Sequence, residues 1–456
     1  MTGRSDGGGR RAIRSKRAFV DGAFRPAAVV VESGLIIDVL GYAEVGPGLA
    51  VEDLGDVPLL PGLVDPHVHM NEPGRTEWEG FVTATRAAAS GGVTALVDMP
   101  LNCIPVTTSA AALETKLEAA RGLLAVDVGF WGGVVPGNAA ELAAMIKGGA
   151  LGAKCFLCHS GIDDFPASGE ADLRAAMPVL RDAGAPLLVH AELERAPAPA
   201  CAGDVRSYAT YLASRPRRWE DDAVALMVDL CRETRCPVHI VHLSSSGALE
   251  LVARAKDEGL PFSAETCPHY LCLTAEEIAA GATEFKCAPP IREAENREKL
   301  WAAVASGVID LVTSDHSPCT PHLKKPVEGD FCGAWGGIAS LSLGLPSVST
   351  AASARGVALE RVVEAMSEAP AKLAGLARQK GRIARGFDAD LCAFDPDARW
   401  SVRADALPFR HKVSPYVGRE LRGRVVTTWL RGEAIYRDGA LVAGGSGRAL
   451  LGRTLG

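Results

Sequence analysis

Between residues 59 and about 345, short apolar runs alternate with longer helix-like segments, and that alternation restricts the chain to few architectures. The runs are Leu59–Asp65, Val93–Asp98, Val126–Trp131, Ala153–Leu157, Pro186–His190, Val238–His242, Pro261–Thr266 and Ile309–Ser314. Segments such as 110–121, 171–183, 220–234 and 246–258 carry the Ala/Leu/Glu-rich pattern of helices between them. Eight strands interleaved with helices predict an α/β fold, a (β/α)8 TIM barrel. Before the first run, Ala28–Val31 and Leu35–Val39 read as strands around Glu32-Ser33-Gly34. Residues 350–378 read as helical, and the strand pattern returns at Asp390–Phe394 and Val425–Leu430. Both chain ends are therefore expected to build one small β-sandwich domain beside the barrel. The expected divisions are a disordered tail at 1–17, β-domain at 18–57, barrel at 58–378 and β-domain again at 379–456.

The chemistry concentrates at the ends of the apolar runs, where barrel enzymes place their sites. The first run leads into His67 and His69, whose i, i+2 spacing on a strand puts both imidazoles on one face. Two neutral imidazoles so placed suit one divalent cation, although two buried, hydrogen-bonded histidines would give the same pattern. His190, His242 and Asp315 stand at the ends of later runs, and together these five residues could hold two metal ions. Lys154 follows two small residues and precedes Cys-Phe-Leu, so it reads as buried. Burial favours the neutral amine, which can take up CO2 and become an anionic carbamate with two oxygens for two metals. His239, three residues before His242, is expected to pack outward; His159, His269 and His316 are loop residues that border substrate or support the site.

Composition narrows the partners. The 456-residue chain has net charge −7, 5% aromatic residues and no large basic block, which argues against nucleic acid and anionic membranes. No apolar run is long enough to span a bilayer. The basic, glycine-rich residues 1–17 lack the apolar core of a secretory signal, and a cytoplasmic location is expected. The 12 cysteines show no framework and are expected to be reduced, with Cys155 and Cys158 a CxxC pair that serves packing.

Several stretches carry a resemblance. Pro61–His69, Asn71–Gly80, Asp98–Asn102, Lys154–Phe156, Ala264–Tyr270, Ser314–Cys319 and Ala334–Ile338 resemble motifs of the cyclic amidohydrolases of the amidohydrolase superfamily, over about residues 18–445. The likeness is greatest to the branch that opens the hydantoin ring of allantoin to give allantoate. It implies a binuclear centre in which His67 and His69 bind one metal, His190 and His242 the other, carbamylated Lys154 bridges them, and Asp315 binds the first and acts as general base and acid. It also implies hydroxide formed between two divalent ions, zinc foremost with cobalt, iron or manganese as alternatives, and a homotetramer.

Hydantoinase, dihydropyrimidinase and dihydroorotase activities are the enzymatic alternatives, and a metal-free scaffold is the non-enzymatic one. Dihydroorotase-like sequences resemble His-x-His-x-Arg, where Arg grips a carboxylate; this chain has Asn71 there, suited to a neutral ureido group. Arg75 is expected in a structural salt bridge, and Ser317, Cys287 and Ala288 are expected beside Asn71 at the substrate.

Overall fold

The computed structural model describes residues 9–194, 201–442 and 446–452. The expected tail at 1–8 and the ends of the C-terminal segment at 443–445 and 453–456 lie outside them.

Strands from both chain ends share one nine-stranded mixed sheet. Arg11–Val20, Ala23–Glu32, Leu35–Gly41 and Ala50–Asp53 come from the front, and Leu391–Ser401, Glu420–Leu430, Glu433–Arg437 and Ala440–Leu441 from the back. Leu59–Pro61 joins the halves: Leu59 pairs in parallel with Ala18 and antiparallel with Ala393. The sheet encloses its own apolar cluster, which includes Ile13, Val29, Leu391 and Trp429. Arg11–Val20 begins inside the segment expected to be a tail. The correction has a packing cause, because Ala12 and Ile13 are fully buried and pair with Val30 and Val29.

The second unit is a set of parallel strands: Leu63–Val68, Val93–Asp98, Asp127–Phe130 continuing into Gly132–Gly133, Ala153–Phe156, Leu187–His190, Val238–Ile240, Phe262–Thr266 and Leu311–Val312. They pair in chain order, with helices between most of them. After the last strand, His316 forms a parallel bridge with Val68, and the His69 N–H donates to the His316 carbonyl at 2.8 Å. The exit of the last strand thus lies against the end of the first.

The apolar run Leu59–Asp65 is split between the two units at Gly62. A Cβ there would fall 2.2 Å from Thr94 Oγ1, so the chain passes between sheets only because glycine has none. The units are also tied by a buried cation. Lys380 Nζ lies 2.7 Å from Asp127, 2.8 Å from Asp388 and 2.6 Å from Asp390. Several buried partners offset its desolvation, which a single carboxylate would do poorly.

The helices follow local rules. Ser109 caps Ala110–Ala120 by accepting from the Ala112 N–H at 3.2 Å. The helical stretch expected at 350–378 is three helices, Gly344–Ser353, Leu359–Met366 and Glu368–Leu373; the second buries Val362, Val363 and Met366. No helix among the described residues is long and apolar enough to cross a membrane. The expectation of wholly reduced cysteines fails at Cys201 and Cys332, which form a disulfide with Cα atoms 6.2 Å apart. Spacing in sequence could not reveal it, because the fold brings together residues 131 positions apart.

Candidate metal centre

All six expected ligand residues line one cavity of about 550 Å³ at the C-terminal ends of the parallel strands. Ring centroids of His67 lie 5.7 Å from His69 and 5.3 Å from His242, and His190 is 4.5 Å from His242. Asp315 Oδ1 is 3.2 Å from His67 Nε2 and 3.6 Å from His69 Nε2. His242 and Asp315 both adopt left-handed backbone, φ 39 and 43, unusual for residues with side chains. Such conformations persist where surrounding structure over-determines them, and neighbouring bonds do so here. Asp65 accepts from the His67 and Ser314 N–H groups, each at 3.1 Å. Glu220 accepts from the Ser244 and Ser245 N–H groups at 2.9 and 2.8 Å, fixing the turn after His242.

The electrostatics suit cation binding. Burial lowers the pKa of His69, His190 and His242, favouring the neutral imidazole that can donate a lone pair. Burial raises the Asp315 carboxyl, but the neighbouring histidines outweigh it and hold the group at about 2. Lys154 is fully buried, and desolvation brings its amine down to about 8 against the pull of Asp315 and Glu265. The neutral amine, the form that reacts with CO2, is therefore a minor but accessible species near neutrality.

A metal pair fits this donor set. His67 Nε2 and His242 Nδ1 are buried without a hydrogen-bond partner among the described residues. Two buried imidazole nitrogens without a hydrogen bond, on residues that line one cavity, are costly unless a ligand takes them up. His67, His69 and Asp315 offer three donor atoms within 4.8 Å of one another. Imidazole and carboxylate suit zinc, cobalt, iron or manganese alike.

The outer layer was largely missed from sequence. Glu265 contacts His67 Nδ1, and Glu192 Oε2 lies 2.8 Å from His190 Nε2. Arg215 in turn pairs with Glu192, donating from Nη2 to one oxygen and from Nε to the other at 3.0 Å. Asp98 accepts from the Met70 N–H at 2.8 Å and pairs with buried Lys116 at 2.6 Å. Such carboxylates orient metal-binding histidines, and a search for acidic residues at inward strand positions would have found Glu265. His239 does not pack outward: it is fully buried, with Nε2 3.0 Å from Glu265. His316 accepts from the Ser340 N–H at 3.1 Å, and His269 is buried with neither ring nitrogen hydrogen-bonded among the described residues.

The substrate contacts divide. Ser317 and Ala288 line the cavity, together with Asn102, Phe156, Arg215 and Trp335. Asn71 and Cys287 are not in its lining. Asn71 is 1% exposed, and its amide nitrogen is turned to the Pro318 carbonyl at 3.3 Å. Cys287 is buried, and its carbonyl accepts from Tyr211 Oη at 2.7 Å. Arg75 forms no salt bridge among the described residues; it donates to the Asn102 carbonyl at 3.1 Å and lies over Trp78.

A cavity at strand ends, with histidines, a lysine and an aspartate converging on it, defines a metal-dependent hydrolase site. The chain belongs to the amidohydrolase family, whose model matches residues 59–435. It is 50% identical to an allantoinase of Streptomyces avermitilis, over 94% of this chain and 95% of that one. It is 44% identical to the allantoinase of Saccharomyces cerevisiae, over 97% and 98%. Among solved structures it resembles the L-hydantoinase (dihydropyrimidinase) of Arthrobacter aurescens, with TM-score 0.90, 31% identity and coverage of 96% and 99%.

Proposed function

We propose that this amidohydrolase is an allantoinase, which hydrolyses the cyclic amide of allantoin to give allantoate. The observation that carries this reading is the convergence of His67, His69, Lys154, His190, His242 and Asp315 on one cavity. Identity of 44–50% to allantoinases over nearly the whole chain supports the substrate. The metal-free scaffold alternative requires a depleted donor set, and this one is complete.

When bound, two divalent ions supply positive charge that acidifies a water and polarises the ring carbonyl. His67 and His69 would hold one ion, His190 and His242 the other, and Lys154, as its carbamate, both. Asp315 remains a carboxylate at neutral pH, so it can accept the proton of the attacking water. As the water oxygen bonds to the ring carbon and the carbon–nitrogen bond breaks, Asp315 returns that proton to the departing nitrogen. Phe156 and Trp335 wall the cavity, and Ser317 and Asn102 present polar groups to the ureide.

We further read the parallel strands as a closed (β/α)8 barrel at 58–378, a reading that the pairing of Val68 with His316 supports. The nine-stranded sheet built from both chain ends is read as the β-sandwich. The assembly is proposed as a homotetramer, which light scattering on purified protein tests.

The deciding experiment assays metal-loaded protein against allantoin, hydantoin and dihydroorotate side by side. Allantoin should have the highest kcat/KM by at least about tenfold, a difference of ~1.4 kcal/mol. A higher value on either other ring would overturn the substrate assignment, and no hydrolysis of any ring would overturn the enzymatic one.

A further inference from the structure

The interior of the parallel-strand unit contains a polar column beneath the metal centre. Ser263 Oγ lies 2.8 Å from His239 Nδ1, His239 Nε2 lies 3.0 Å from Glu265 Oε2, and Glu265 Oε1 meets His67 Nδ1. Register places His239 directly opposite Ser263 on adjacent strands, and Glu265 lies two residues beyond Ser263 on the same face. His67, His239 and Glu265 are each at most 1% exposed. Such interiors are filled mainly by branched apolar side chains, and polar groups buried there are costly unless fully paired. Below His67 every ring nitrogen and carboxylate oxygen of the column is hydrogen-bonded; above, His67 Nε2 makes no hydrogen bond among the described residues and has Asp315 Oδ1 3.2 Å away on the cavity side.

The direction of each hydrogen bond follows. A carboxylate can only accept, so Glu265 takes N–H donors from both histidines. With neutral rings, His239 Nδ1 then accepts from the Ser263 hydroxyl, and His67 presents a lone pair at Nε2. Glu265 also accepts from the His242 backbone N–H at 3.3 Å, which links the column to a second histidine of the centre.

We propose that His239, held by Ser263, is a positioning residue that fixes Glu265 and thereby sets His67 as a metal ligand through Nε2. The inference rests on the metal-centre reading above. His239 touches neither substrate nor metal. Its effect is on cation affinity, not on the chemical step.

The test titrates the full-length apoprotein with Zn2+ alone against a chromophoric chelator. His239→Leu should weaken binding by about 10–100-fold, the range for lost supports of metal-binding histidines. His239→Gln, whose amide can still donate to Glu265, should stay within about threefold of the parent. At saturating Zn2+ both variants should recover the parent's kcat and KM. Parental affinity in His239→Leu overturns the proposal. So does equal weakening in both variants, which would show that the residue only fills space. If His239→Leu does not fold, Ser263→Ala replaces it: binding weakened several-fold upholds the column, and parental binding overturns it. A parent that binds no Zn2+ would instead remove the metal-centre reading itself, so the two failures are distinguishable.

Discussion

His67 Nε2 stands 3.2 Å from Asp315 Oδ1, although the first lies near the end of the first parallel strand and the second just beyond the last. The contact puts the proposed base beside the proposed metal ligands. Asp315→Asn keeps shape and removes the basic oxygen. It should lower kcat on allantoin by about 10²–10⁴-fold, the usual contribution of a positioned acid–base group. Thermal unfolding should change by no more than a few degrees. Unchanged turnover would remove Asp315 from the chemistry.

His67→Ala, His242→Ala and Lys154→Ala each delete a donor from one cavity. Each should reduce metal per chain, measured by plasma emission spectrometry after dialysis, with activity falling in step. Full occupancy in all three variants would contradict the assigned centre.

The Lys154 amine is depressed from 10.5 to about 8, and the sign sets a pH profile. Below about 8 the ammonium dominates and has no lone pair for CO2; above it the neutral amine does. At constant dissolved CO2, the initial rate of carbamate formation in metal-free protein should rise through this value, read by the growth of the 13C signal from labelled CO2. A midpoint near 10.5, the ordinary lysine value, would show that burial does not tune this amine. The same depression means that Lys154's contribution to stability is present above the unfolded value and is lost as pH falls through about 8.

Asn71 is buried against the carbonyl of Pro318, next to cavity-lining Ser317. Asn71→Arg inserts a larger, charged side chain there. It should destabilise the fold by about 1–3 kcal/mol and displace the Ser317 loop. The expected result is lower kcat/KM on allantoin with no gain on dihydroorotate. A gain on dihydroorotate would return Asn71 to the substrate-contacting role expected from sequence.

Cys201 and Cys332 are paired, and ten other cysteines are free thiols. Alkylation of denatured, unreduced protein should label ten cysteines, and two more after reduction. Labelling of all twelve without reductant would restore the expectation of reduced thiols.

The histidines and Asp315 were legible because they sit at or just beyond the ends of apolar runs, where strand geometry aims residues at a common point, and Lys154 because small and apolar neighbours marked it as buried. Glu265 and Glu192 were not singled out, because an acidic residue gains meaning only when a histidine is seen beside it. His239 was misplaced for a similar reason. Counting back from His242 assumed regular alternation, but the strand ends at Ile240 and His242 takes positive φ. Asn71 was read as a substrate contact by motif position; motif position says nothing of its left-handed backbone, φ 63, or of the Pro318 carbonyl that its amide nitrogen meets. The early start of Arg11–Val20 was hidden because its basic residues alternate with the small apolar ones that pack inward.

Leu59–Pro61 has a rung from the N-terminal stretch on one side and a rung from the C-terminal stretch on the other, directly ahead of the histidine-bearing strand. A fragment trimmed to the catalytic unit alone would leave both flanks of that segment bare. Deleting either terminus should therefore loosen the seat of His67 from a distance, so the ends of this chain act as a clamp on its reactive middle.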